Sequence, residues 1–357
     1  MPIPIQNIYF LLCYAWDKLD EAQLVDVSGV DSTELADLFA TVLLTGTKRL
    51  FREGMDRGYR PFSEDTSSPR GRIDFSVSLK RCLFQQAKAC CRFDDLNHNV
   101  LHNRILKSTI GRLKKTENLD GTLASQLAQL HRRFNDVEEI ELTPQTFRQV
   151  QLHRNNAFYV FLMDVCELVS TSLLPDETSG SYRFRNFLRD EGKMNRLFER
   201  FVSNFYHREQ EEFGVKRDII LWDAKSVDKG SFNFLPQMET DISLRSKQRT
   251  IIIDTKYYES TLQRSQFGKE SVHSENLYQI FSYLKNLEVR PGPDSNAEGL
   301  LLYPTTSKSV DLQYEIQGHT LRVCTLNLDQ EWRNIRQELF GFLKPHETAT
   351  LEAIPRV

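Results

Sequence analysis

"TIIIDTKYY" (residues 250–258) sets two opposite charges at the end of a strand-like run. Thr250, Ile251, Ile252 and Ile253 are β-branched and suit a strand built for a packed interior, where charges are costly. The run nevertheless closes on Asp254 and Lys256. Side chains alternate across a strand, so residues two apart share a face and these two stand side by side. The preceding stretch, "PQMETDISLRSKQR" (236–249), reads as a second strand and a polar turn. Met238, Thr240, Ile242 and Leu244 share one face of it, and Glu239, Asp241 and Ser243 share the other. A hairpin symmetric about Lys247 and Gln248 puts Asp241 directly opposite Asp254. Two carboxylates and an ammonium then converge.

Converging carboxylates repel, and each is pushed toward protonation unless a cation compensates. Mg²⁺ suits the purpose: it prefers oxygen ligands, takes one or two carboxylates, and completes its shell with water and substrate phosphate. Lys256, as an ammonium, is not a further ligand. It can orient an attacking water or neutralise charge building on a scissile phosphate. The plainer alternative is a hairpin salt bridge, Asp254 with Lys256 or Asp241 with Arg249, on a solvated face.

Around this hairpin the pattern is that of an α/β unit. In "KMNRLFERFVSNFYHRE" (193–209) apolar residues recur at helical spacing from Met194 to Tyr206, with Glu199 at the edge of the stripe. "SENLYQIFSYLKNL" (274–287) reads as a helix carrying Gln279 and Tyr283 on one face. Strands at 299–304 and 321–328 and a helix at 330–343 follow. The N-terminal half reads as mainly helical with a β insert. Helices are expected at 7–19, at 31–54 with Asp31 and Glu34 as a capping box, near 97–116, at 121–134 and at 155–174. A turn-rich stretch at 58–77 suggests an exposed finger ending in the strand "RIDFSV", with 87–96 as its partner. "LLPDETSGS" (173–181) breaks the pattern and is taken as the domain boundary, giving domains over 1–175 and 182–357.

The chain has 357 residues, 40% hydrophobic and 27% charged, enough for two medium cores. No apolar run reaches the length of a membrane span, and the start lacks the features of a signal peptide, so a cytoplasmic protein is expected. Six cysteines without a CxxC pair point to reduced thiols, not a disulfide framework. A net charge of −3 lacks the basic footprint of an autonomous DNA binder, so any DNA affinity is expected to be shared with another chain. The basic clusters at 111–115 and 131–134 can touch phosphates or an acidic partner, or simply be solvated helix faces. No phosphate-cradling GxxxxGK[ST] loop occurs; at "FGKES" (267–271) Gln263 stands where the first Gly is needed. His98 and His102 are spaced i, i+4, but without a third ligand nearby they read as helix-surface residues.

A helix glutamate, a strand aspartate, an Asp-x-Lys and a helix with QxxxY, in that order, resemble the PD-(D/E)xK nuclease superfamily, particularly its RecB-like branch. The likeness extends to "PIPIQNIYFLLCYAW" (2–16), "GRIDF" (71–75), "NRILKSTI" (103–110), "YRF" (182–184), "LPQMETDI" (235–242), "DTKYY" (254–258), "NLYQ" (276–279) and "CTLNLDQEW" (324–332). Along nearly its whole length the chain resembles the McrC family, nuclease subunits of McrBC modification-dependent restriction systems. Thr240 stands where the superfamily's name has proline, a position that often varies.

The resemblance implies an α/β chain: a helical N-terminal domain with a β insert that docks on and stimulates a GTPase, then a PD-(D/E)xK endonuclease domain. It implies Asp241, Asp254 and Lys256 as catalytic residues, with Asp241, Asp254 and Glu199 holding Mg²⁺ and Gln279 and Tyr283 in support. It also implies methylated double-stranded DNA as substrate and an McrB-like AAA+ ring as partner, the ring binding GTP and supplying translocation. Two other readings use the same residues: a non-catalytic adaptor that keeps a nuclease-like fold, and a stand-alone RecB-like nuclease.

Overall fold

The computed structural model describes residues 3–25, 27, 34–152, 156–176, 180–258, 263–264, 270–305 and 309–345. The chain divides into two compact units. One joins Met1–Leu19 to Asn186–Val357, and the other is Asp20–Arg185.

The first unit is organised by a six-stranded mixed sheet in the order Asp311–Ile316, His319–Asn327, Glu298–Thr305, Thr250–Thr255, Ile242–Arg245, Gly214–Lys216. Thr250–Thr255 is buried at every position. It runs parallel to Glu298–Thr305 on one side and antiparallel to Ile242–Arg245 on the other. Strands covered on both faces read as continuous apolar runs, which is why "TIII", "GLLLY" and "LRVCTL" do not alternate. Ile251 and Ile253 pack with Phe198, Phe201, Val202 and Phe205 of the Glu191–Glu209 helix. Ile252 packs with Ile280, Tyr283 and Leu284 of the Ser274–Leu287 helix. That second helix lies close to the sheet at Gly299, where a Cβ would meet Ile280 and Leu284 side chains at 3.1 Å.

The register bears out the symmetric hairpin. Ile253 pairs with Ile242 and Thr250 with Arg245, so the next step in the same ladder sets Asp254 across from Asp241. The short polar turn decides this, because Ser246 bonds back to Arg249 and closes the hairpin. The two outer strands, Gly214–Lys216 and Asp311–Ile316, lie outside the sequence reading.

The Ile5–Ala15 helix belongs to this unit, not to the N-terminal domain expected over 1–175. Leu11 and Tyr14 sit in the core with Phe201 and Phe205. Asn7 donates to the carbonyls of Leu328 (2.9 Å) and Gln330 (2.7 Å), and Tyr14 donates to Glu209 at 2.7 Å. Apolar periodicity shows that a helix is buried but not against what. The partition between units falls at Arg185 and Asn186, beyond the expected linker.

The second unit is built on helices Leu35–Glu53, Leu101–Leu113, Gly121–Arg132 and Ala157–Ser172. A three-stranded antiparallel sheet orders Gly58–Thr66, Ala89–Asn97 and Arg72–Ile73, with Ala89–Asn97 central. This is the expected finger, but "RIDFSV" is not a strand throughout. The Asp74 carboxylate accepts from the Val77 N–H at 3.0 Å and caps the Phe75–Lys80 helix, so the strand stops after two residues. At the preceding turn Gly71 has φ +68°, and a Cβ there would stand 2.4 Å from the Arg92 carbonyl oxygen. Glu34 is the N-cap residue of the Leu35–Glu53 helix but makes no side-chain capping hydrogen bond, and Asp31 lies outside the described residues. His102 is buried rather than on a helix surface, with Nε2 3.1 Å from an Asp56 carboxylate oxygen. The six cysteines are free thiols. Among the described residues no helix is long and apolar enough to cross a membrane.

Candidate active site

Asp254 is fully buried at the end of the central strand, and its Oδ1 has no hydrogen-bond partner among the described residues. A buried polar atom left in this way is costly and requires an explanation. Lys256, two residues on and on the same face, brings Nζ to 2.7 Å from Asp254 Oδ2 and to 4.0 Å from Asp241 Oδ2. The first contact is an ion pair at hydrogen-bond distance, and it is the one contact that favours the charged form of Asp254 directly. The Lys256 backbone N–H still donates to Leu302 at 3.1 Å, so the sheet holds this lysine in place.

Asp241 leaves the ladder one residue before Ile242, and its Oδ2 accepts from the Thr255 N–H (2.8 Å) and hydroxyl (3.1 Å). These bonds bring it to the same strand end as Asp254. Thr240, in the position of the missing proline, is buried and bonds both ways with the Asp218 backbone and with Ser243. It shapes the approach to Asp241 by hydrogen bonds rather than by a fixed φ.

Burial pushes the Asp254 carboxyl up to about 7, and the Asp241 charge adds to the shift against the pull of Lys256. For Lys256 burial opposes the charge, but Asp254 and Asp241 outweigh it and hold the ammonium above its ordinary range. Glu199 approaches from the Glu191–Glu209 helix. Burial and then Asp241 raise its carboxyl, while Arg217 and Lys256 act the other way. Arg217 Nη1 lies 3.7 Å from Glu199, and its Nε lies 3.0 Å from Glu239. Glu199 is thus in the field of the pair but drawn toward Arg217. Among the described residues no three His, Cys, Asp or Glu side chains form a ready metal cage, so Asp241, Asp254 and Glu199 do not meet as a closed set.

Gln279 and Tyr283 act as a pair. Gln279 donates to the Tyr283 hydroxyl at 2.7 Å, and that hydroxyl donates to the Glu239 carbonyl at 2.8 Å. Tyr283 therefore pins the strand two residues before Asp241, while Gln279 is exposed and reaches the site through Tyr283. Three contributors lie outside the sequence reading: Thr255, Arg217 and Asn195. Asn195 Oδ1 accepts from the Tyr257 N–H at 3.0 Å and fastens the helix to the chain just after Lys256. It stands four residues before Glu199, and that spacing was the available signal. Nothing local in the sequence singles out Arg217.

A mixed sheet flanked by helices, with two carboxylates and a lysine gathered at the end of its central strands, defines a restriction-endonuclease-like α/β protein. The chain belongs to the McrBC 5-methylcytosine restriction system component family, whose model matches residues 7–304. It is 37% identical over 337 residues to the type IV methyl-directed restriction enzyme EcoKMcrBC of Escherichia coli (strain K12), covering 94% of this chain and 96% of that relative. Its fold is similar to a chain of the refined half-complex from a tetradecameric assembly of Thermococcus gammatolerans McrB AAA+ hexamers with bound McrC. That likeness has a TM-score of 0.57 at 18% identity and covers 95% of this chain and 76% of the other.

Proposed function

We propose that this chain is the endonuclease subunit of a GTP-dependent complex that cuts DNA carrying modified cytosine, and that it also stimulates an McrB-like AAA+ GTPase ring. The observation that carries the nuclease reading is the buried Asp254 carboxylate, with one oxygen left without a hydrogen-bond partner and with Asp241 and Lys256 gathered at the same strand end. A structural salt bridge needs one carboxylate and one cation. Here a second carboxylate is held beside the pair by Thr255, which raises the electrostatic cost and suits a site that receives a cation.

The residues fit Mg²⁺, with Asp241 and Asp254 as the protein's two oxygen ligands and Glu199 in reach of the same field. Bound Mg²⁺ would supply Lewis-acid polarisation of the scissile phosphate and an acidified water. Lys256 remains an ammonium at neutral pH and offers its charge to a phosphate oxygen gaining negative charge, or a hydrogen bond to orient the attacking water. Tyr283 and Asn195 hold the two chain segments that carry these groups. The ring, not this chain, binds GTP.

The curated relative's name joins restriction to methylated DNA, and the T. gammatolerans assembly holds McrC on McrB hexamers. The first supports methylated DNA as the substrate here and the second an McrB-like ring as the partner; we assign ring docking to the Asp20–Arg185 unit and its finger. The test is to assemble Asp254→Ala and Lys256→Ala with the GTPase partner. Cleavage of methylated plasmid should fall about 10²-fold or more in each, as for loss of a preorganised charged group. GTP turnover should be retained. Cutting by Asp254→Ala at near wild-type rate refutes the nuclease assignment.

A further inference from the structure

Between Ile220 and Met238 the chain makes an excursion that displays large apolar side chains to solvent. Leu221, Trp222, Val227, Phe232, Phe234 and Leu235 are all exposed, Phe234 at 89% and Val227 fully. Isolated exposed apolar residues need no explanation, but six within fifteen positions form a patch of the kind that marks an interaction surface. The excursion is tied at its base. Ile219 pairs with Glu239 and Ile220 with Met238. The Trp222 indole N–H donates to the Pro236 carbonyl at 2.6 Å, and the Asp223 N–H donates to Asn286 at 2.7 Å. A short 3-10 turn, Lys229–Phe234, carries the two phenylalanines.

We infer that this loop is a DNA wedge: Phe232 and Phe234 enter a groove beside the scissile phosphate and partly unstack a base step. The inference rests on the nuclease reading of the Asp241, Asp254 and Lys256 centre. Its first ground is reach. Phe234 is seven residues from Asp241, so the two lie within about 24 Å however the chain runs. At about 3.4 Å per base step a duplex of eight pairs already spans about 27 Å, so DNA held at Asp254 is long enough to reach the loop. Its second ground is the entry to the loop. Arg217 is more than half exposed and lies against Glu199 and Glu239, where it can meet a backbone phosphate on the way to the carboxylates. Apolar wedges with nearby Arg are the means by which proteins bend DNA through its groove, at a cost of a few kcal/mol per unstacked step. The mode suits a chain of net charge −3, which cannot hold DNA by charge alone.

The experiment uses the full chain assembled with its GTPase partner and methylated duplexes bearing 2-aminopurine at successive positions. Asp254→Asn keeps the DNA uncut. With the loop intact, binding should raise 2-aminopurine fluorescence at one or two steps, and adding Phe232→Ala and Phe234→Ala should abolish the rise. With Asp254 restored, the double alanine variant should cleave about tenfold or more slowly, with GTP turnover and assembly mass unchanged, and Phe234→Leu should recover most of the rate. Phe234 is almost wholly exposed and Phe232 is partly covered, so urea denaturation of the double variant checks that the fold is kept. No rise with the intact loop, or wild-type cleavage by the double variant, overturns the wedge. So does loss of GTP stimulation or of self-association, which assigns the patch to the ring or to a second copy. Continued cutting by Asp254→Asn is a separate failure, that of the nuclease reading.

Discussion

Replacing Asp254 by Asn should make the metal-free protein more stable while abolishing cutting, and the size of the gain follows from the site. Burial and Asp241 lift the Asp254 carboxyl from an ordinary 3.8 to about 7 in the folded state. A raised carboxyl favours the unfolded chain, which ionises first, once pH passes its unfolded value. The penalty is therefore absent below about pH 4, grows through about pH 7, and is complete above it. Three units correspond to a ceiling of about 4 kcal/mol. Water entry and side-chain relaxation reduce such penalties, so a gain of about 1–2 kcal/mol is expected at about pH 8, shrinking toward zero as pH falls to about 4. For a unit of this size that is a rise in Tm of about 2–8 °C. The assay is urea denaturation of wild type and Asp254→Asn in EDTA across that pH range, repeated in Mg²⁺. Added Mg²⁺ should stabilise the wild type and leave the variant unmoved, because only the species with the site intact gains from binding. An Asn variant less stable than wild type at about pH 8 in EDTA, with an unchanged m-value, would mean that the Lys256 ion pair is a net structural contact and that the electrostatic reasoning is wrong.

Tyr283→Phe removes the bond to the Glu239 carbonyl, and should cost about 1 kcal/mol in urea denaturation and slow plasmid cleavage by loosening Asp241, with GTP turnover unaffected. Gly299→Ala places a methyl group 3.1 Å from Ile280 and Leu284, and overpacking there should cost about 1–3 kcal/mol in the same assay. Asn7→Ala leaves the carbonyls of Leu328 and Gln330 without their side-chain donor, and a loss of about 1–3 kcal/mol is expected even though the substitution lies over three hundred residues from those partners. Arg70→Ala removes a cation 3.9 Å from the Phe93 ring on the finger, and should lower stability by under about 1 kcal/mol but reduce stimulation of the GTPase if the finger meets the ring.

The central hairpin was legible because two signals agreed. An apolar β-branched run ended in charges, and a four-residue polar turn allowed only one symmetric register. The helices flanking it were legible from spacing alone, and the Ser274–Leu287 helix matches its expected bounds. What escaped was long-range. "RIDFSV" has the composition of a strand, yet one local bond from Asp74 converts most of it to helix. "DLQYEI" pairs at the sheet edge, where one strand neighbour suffices and polar residues face solvent, so no apolar run announces it. His102 looked like a surface residue because its partner, Asp56, is forty-six positions away. In the site, Asp241, Asp254 and Lys256 could be placed by counting residues across a turn, whereas Arg217 and Thr255 act through contacts that no spacing encodes.

The first helix has a consequence for synthesis. Asn7 bonds to a carbonyl 321 residues away, near the last strand of the sheet. At about 5–20 residues per second, a ribosome needs roughly 15–65 s to deliver that partner after the helix has emerged. During that interval Leu11 and Tyr14, which pack in the core of the sheet unit in the finished protein, have no core to enter. The intervening Asp20–Arg185 unit can complete its own contacts first, whereas the sheet unit must wait for both ends of the chain. An aromatic segment held open in this way is a natural target for a nascent-chain chaperone. It also means that a polypeptide truncated a few dozen residues early would carry an orphaned sticky end rather than a slightly shortened enzyme.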